Sequence, residues 1–154
     1  MHFFQTFCFN NYILSVAVLS WFAAQVSKTI INYLLSGKME LERMYGAGGM
    51  PSAHSALVCS MTMAASRSEG LSSPLFALSF IFAAIVMYDA MGVRHETGEQ
   101  AKVLNKLIDD WLKDEPEMFH EQRKKLKEKV GHTPFEVLSG ALLGILIAVI
   151  IPPV

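Results

Sequence analysis

The chain has 154 residues, of which 52% are hydrophobic and 18% charged, and its formal net charge is −1. With a mean hydropathy of +0.34 it is too apolar for an ordinary soluble domain, and the near-neutral charge excludes a general nucleic-acid binder. Its two cysteines, Cys8 and Cys59, lie in apolar surroundings and offer neither a disulfide framework nor a metal-binding spacing.

The first long apolar run is Tyr12 to Leu35, enough to cross a bilayer, with one charge, Lys28, in its second half. Upstream of it there is no Lys/Arg start and no small-residue cleavage site, so the segment is expected to be retained. A polar elbow follows, "GAGGMPSAHSA", Gly46 to Ala56. The next apolar run, His54 to Ala65, is short. A dozen helical residues rise under ~20 Å, against a hydrocarbon core of ~30 Å. This helix must therefore continue through Ser66 and Arg67, or begin deep in the protein. "EGLSSP" reads as a turn. The third run is Leu75 to Met91, with Asp89 near its end.

A charged stretch of about 93–131 then interrupts the apolar pattern. From Glu99 to Leu112, residues Ala101, Leu104, Leu107, Ile108, Trp111 and Leu112 recur at helical spacing on one face. Glu117 to Val130 is expected to form a second charged helix. The pair would lie on the membrane surface, cap a site, or simply pack on the bundle. The last apolar run is Phe135 to Ile151, with Glu136 near its start and Pro152-Pro153 stopping it. Its Gly140 and Gly144 form a small-x-x-x-small pair that serves a contact within one chain or between copies, so a homo-oligomer is admitted. The expected fold is all-α: one domain, 1–154, built as an integral membrane helical bundle of about four membrane-inserted helices plus amphipathic cytoplasmic helices.

Four crossings would bring the polar residues to one end. Lys28 lies toward that end of the first span, His54 opens the second, Asp89 closes the third with Arg94 just beyond, and His132 and Glu136 begin the fourth. Ionisable groups in apolar spans are costly, which makes them functional candidates. The structural alternatives are snorkelling for Lys28 and an interfacial position for the two acids. In "GHTPFEV", Thr133 or His132 can cap a helix with Pro134 in its first turn. Four residues apart, His132 and Glu136 can share a helix face, so the carboxylate accepts from one imidazole nitrogen. The other nitrogen is then left as a nucleophile or base. At the elbow, the free amides of a helix start bind anions, and Ser52 adds a hydroxyl. His54 is placed to protonate a leaving oxygen, and Lys28 and Arg94 to hold phosphoryl oxygens. The set describes phosphoryl transfer with no cofactor; neighbouring Lys and Arg would repel a cation, so no metal site is expected.

"GGMPSAHSA", "YDAMGVRHETGEQA" and "GHTPFEVLSGALLG" together resemble the divergent branch of the type 2 phosphatidic acid phosphatase superfamily, relatives of the vanadium haloperoxidases. The resemblance runs from about Ala24 to Gly144. It implies a mostly helical enzyme that hydrolyses lipid phosphomonoesters or diphosphates through a phosphohistidine. It further implies that His132 attacks phosphorus, Glu136 orients it and His54 protonates the leaving group. Lys28, Arg94, Ser52 and the Ala53 amide would bind phosphate, with Arg43 the candidate for a second basic residue of the first motif. Four features depart from the family pattern. Met44 follows Arg43 where proline is usual, Ala53 replaces glycine, Glu136 replaces aspartate, and a long insertion separates Arg94 from His132. Asp89 has no role in the common pattern and is a candidate to pair with Arg94 or Lys28.

The expected activity is that of a lipid phosphatase acting on a phosphomonoester such as phosphatidylglycerophosphate. A polyprenyl diphosphate, or phosphate bound without cleavage by a transporter or scaffold, is the alternative. Of the 13 Lys and Arg residues, only Arg67 falls on the side opposite the two larger loops, and Lys28 lies toward the loop side. The positive-inside rule therefore places those loops, and the site, on the cytoplasmic face; the membrane expected is a bacterial plasma membrane. A cysteine introduced as His120→Cys should resist an impermeant maleimide in intact cells and react once the cells are opened. Labelling from outside would reverse the orientation.

Overall fold

Side-chain caps set the helix starts. Asn11, Ser52, Ser73 and Thr133 each accept a hydrogen bond from a backbone N–H three residues on, satisfying a donor that a helix leaves unpaired. The computed structural model describes residues 11–37, 49–112, 125–128 and 130–153. Among these, the helices are α1 Tyr12–Ser36, α2 Ala53–Glu69, α3 Pro74–Met91, α4 Val93–Leu112 and α5 Pro134–Ile150. There is no strand among the described residues. The run from His54 continues past Ala65 to Glu69, as its length demanded.

Among the described residues, two stretches are long and apolar enough to cross a membrane: Tyr12–Leu34, and Pro74–Trp111, in which α4 follows α3 across Gly92. The amphipathic helix starts earlier than its apolar spacing indicated, at Val93. The second charged helix is corrected in part. Residues 125–128 and 130 are not helical, and the rest of Glu117 to Val130 lies outside the described residues. Arg43 does as well.

α2 is the central helix, in contact with α1, α3 and α5. Val16 clusters with Ala64, and Ala24 with Ala53 and Ala56, so α1 runs antiparallel to α2. Thr62 donates to the Ser79 carbonyl at 3.0 Å, and Val58 and Cys59 cluster with Ala83, so α3 is antiparallel too. α5 runs parallel to α2: Gly140 lies against the Ser52 backbone and Gly144 against that of Ala56. The end of α1, the start of α2, the end of α3 and the start of α5 thus share one end of the bundle.

The interior is small and polar, with Ser20, Ser52, Ser55 and Ser60 fully buried among alanines. Large apolar side chains such as Phe22, Leu78, Phe82 and Leu146 face outward. That distribution suits lipid surroundings, where small residues let helices approach. At the far end, Arg67 Nη1 donates to the Ile151 carbonyl at 2.8 Å and to that of Val149 at 3.0 Å, and also contacts Ala148 O. Tyr12 donates its hydroxyl to Ile151 O at 2.9 Å. Together they satisfy the carbonyls that end α5.

A Cβ at Gly144 would collide with the backbone of Ala56. Gly144→Ala should therefore cost about 1–3 kcal/mol through overpacking, read by thermal unfolding in detergent, while Leu142→Ala on the exposed face should cost less. Alanine is the better helix former by about 1 kcal/mol, so any loss reports the helix contact and not propensity.

Candidate active site

The start of α5 builds the first part of the site. Thr133 caps the helix and Pro134 occupies its first turn. The Thr133 hydroxyl accepts from Glu136 N at 3.3 Å, and Thr133 N donates back to Glu136 Oε2 at 3.0 Å, a capping box. The same carboxylate oxygen is 3.2 Å from His132 Nδ1. The two side chains meet across the cap, because His132 precedes the helix and Glu136 reaches back; they do not share a helix face.

His132 is only 4% exposed. Its backbone N–H donates to Ala90 O, at the end of α3, at 3.0 Å. Gly131, with φ of 81°, makes the turn before it and lies against the backbone of Arg94 and His95, where no side chain would fit. Burial holds the imidazole below its ordinary value of 6.5. The Glu136 hydrogen bond and charge pull it up, and the charges of Lys28 and His54 add to the lowering. Burial wins, so the ring is neutral near pH 7, with Nδ1–H donating to Glu136 and Nε2 carrying the free lone pair.

The start of α2 meets this cap directly. Ser52 N donates to Glu136 O at 3.0 Å. The Ser52 hydroxyl caps α2, at 3.4 Å from Ser55 N, and accepts from Ser55 Oγ at 3.0 Å. Ser52 is fully buried and Ala53 only 2% exposed, so both build the junction between helices. His54, the second residue of α2, is exposed and within electrostatic reach of Arg94 and Lys28.

Lys28 is 5% exposed, feels the charge of Glu136, and has its stem 3.7 Å from the position a Gly49 side chain would take. Arg94 is exposed, and its Nε donates to Asp89 Oδ2 at 2.5 Å. Asp89 is thus the partner of Arg94. An exposed pair of this kind contributes little to stability, but it fixes where the guanidinium sits.

The long insertion goes out along α4 and returns beside it. Gly98 leaves room for the returning backbone: a Cβ there would be 2.6 Å from Glu128 O and 2.8 Å from Val130 O. This return brings His132 back beside Arg94. Lys28, His54, Arg94, His132 and Glu136 therefore gather at one end, and Arg43 lies outside the described residues. Among the described residues no group of three or more His, Cys, Asp or Glu side chains could hold a metal ion. Sequence reasoning passed over Gln25, one turn before Lys28, which is buried with its Oε1 lacking a hydrogen-bond partner. The rule that singled out Lys28, a polar group in an apolar span, applies equally to it.

The sequence matches the Divergent PAP2 family over residues 9–147. It is also 45% identical over 135 residues to the uncharacterized membrane protein YuiD of Bacillus subtilis, covering 83% of this chain and 85% of that protein. No solved structure matches it. The chain belongs to the Divergent PAP2 family.

Because the folded value of His132 lies below the unfolded one, its contribution to stability is complete above pH 6.5 and is lost as pH falls toward the folded value. An NMR titration of His132 in detergent should show a midpoint below 6.5, and Glu136→Gln, by removing the charge that favours the imidazolium, should lower it further. A midpoint above 6.5 would mean that the carboxylate outweighs burial.

Proposed function

We propose that this Divergent PAP2 family member is an integral membrane lipid phosphatase that works through a phosphohistidine on His132. The observation that carries the reading is the convergence of the buried His132–Glu136 pair with Lys28 and His54 where the helix starts of α2 and α5 meet. In the proposal α1, α2, α3 and α5 are inserted in the bilayer, and α4 lies at the cytoplasmic face. A lipid phosphate enters from the inner leaflet and presents its headgroup at the polar end.

His132 Nε2 attacks phosphorus, and the bond to the leaving oxygen breaks as His54 delivers a proton to that oxygen. Glu136 holds Nδ1–H and stabilises the positive charge that develops on the ring. Lys28 and Arg94 meet the negative charge on the phosphoryl oxygens. Water, deprotonated by the now neutral His54, then attacks the phosphohistidine, releasing phosphate and restoring His132. Phosphatidylglycerophosphate is the favoured substrate because it is made on the cytoplasmic side; polyprenyl diphosphate is the competing one. One observation favours a second reading, phosphate held without cleavage: Arg94 is engaged by Asp89, so its guanidinium is shared between acid and ligand.

Purified protein should release phosphate from one member of a panel containing phosphatidylglycerophosphate, phosphatidic acid and polyprenyl diphosphate. His132→Ala should abolish release. His54→Ala should slow turnover roughly 10²–10⁴-fold, the usual contribution of a general acid, while substrate still binds. An active His132→Ala variant would remove the nucleophile, and binding without release from any lipid would establish the second reading.

A further inference from the structure

We propose that Asn105 is a positioning residue for His132, acting through the returning segment of the insertion; the catalytic part of this inference rests on the phosphatase reading. Asn105 lies in the middle of α4 and is only 3% exposed. Its amide bonds the returning chain in both directions. Nδ2 donates to Leu126 O at 2.9 Å and to Glu128 Oε1 at 2.7 Å, and Oδ1 accepts from Leu126 N at 3.0 Å. A primary amide donates to and accepts from one residue's backbone through two separate atoms, whereas a carboxylate only accepts and an ammonium only donates.

The clamp sits on a defined face. Gly98, Ala101 and Asn105 are spaced three and four apart, lie on one side of α4 and are all buried. Gly98 and Ala101 keep that face low, so the backbone at Glu128 and Val130 lies directly on it. Beside the clamp, Lys125 pairs with Asp109 at 3.4 Å on the surface, and exposed pairs of that kind contribute about 0–1 kcal/mol.

His132 depends on this segment because it precedes the cap of α5 and makes no helical hydrogen bond of its own. Its backbone is held by Ala90 O on one side and by Gly131 against Arg94 and His95 on the other. Asn105 fixes the register with which the chain arrives at Gly131. With the clamp gone, the segment can slide on the smooth Gly98–Ala101 face, and the imidazole is no longer held in one place relative to Lys28 and His54. A misplacement of ~1 Å at a reacting group is enough to slow turnover by ~10²-fold.

Asn105→Ala should lower kcat by ~10–10²-fold with KM little changed. It should also move the NMR titration of His132 toward 6.5 and raise the ring's reactivity with diethylpyrocarbonate. Leu107→Ala, on the exposed face of α4, should do none of these. If Asn105→Ala does not fold, Asn105→Asp carries the same test, keeping the shape and the bond from Leu126 N while losing both donated bonds. Wild-type turnover with an unmoved His132 titration and unchanged kcat in the variant would overturn the positioning role alone. A shifted His132 titration in a protein that hydrolyses no lipid of the panel would uphold the positioning role and sink the phosphatase reading.

Discussion

Gly140 and Gly144 present no side chain where α5 meets α2, so the helices touch backbone to backbone at Ser52 and Ala56. That approach lets Ser52 N reach Glu136 O, joining the first turn of one helix to the cap of the other. Two parallel helices then begin side by side, and each start carries partial positive charge from its unpaired amides. Placed together, these ends repel unless something negative lies between or beside them. Glu136 supplies part of that charge within the chain. The remaining field is reinforced by Lys28 and Arg94, and the proposed phosphate site rests on it. The positive field at this end thus follows from a packing contact between small residues.

The rest of the bundle is arranged around that junction. α1 and α3 run the other way, so Lys28 in the second half of α1 and Ala90 at the end of α3 come to the same place as the two helix starts. At the opposite end Arg67 satisfies the last carbonyls of α5. The cation on that side is therefore accounted for by helix capping. Cations thus serve different physics at the two ends: one closes a helix C-terminus, and the others surround the helix starts.

Much of this was legible because it depends on local rules. The short run from His54 had either to extend past Ala65 or to begin deep in the protein, and it extends to Glu69. The Thr133-Pro134 start and the pairing of His132 with Glu136 followed from residue chemistry, although the pair meets through a capping box and not on a helix face. What was not legible depends on contacts between distant parts of the chain. The Lys- and Glu-rich stretch up to Val130 has good helix formers, but the described residues of its last part are not helical, because Asn105 and the Gly98 face offer the backbone partners that a helix would forgo. Gly98 in a helix interior was the available signal, since a glycine there costs about 1 kcal/mol against alanine and calls for a packing or functional reason. The burial of Ser52 carried no local signal, because it is set by where α5 lands.

The separation of Arg94 from His132 is explained by the same contacts. Closing a longer loop costs only about 0.6 kcal/mol for each doubling of length, so an excursion is tolerated if its two ends are pinned. Here they are: Gly131 lies on the Arg94–His95 backbone, and His132 N bonds to Ala90 O, just before Arg94 in the chain. The tip of the insertion can therefore differ in length or sequence without moving Arg94 relative to His132. Gly131 cannot be exchanged so freely, because it needs both a positive φ and the absence of a side chain. The fixed part of the Arg94–His132 pairing is thus two chain ends in contact, and the sequence distance between these residues is a poor guide to whether the site is intact.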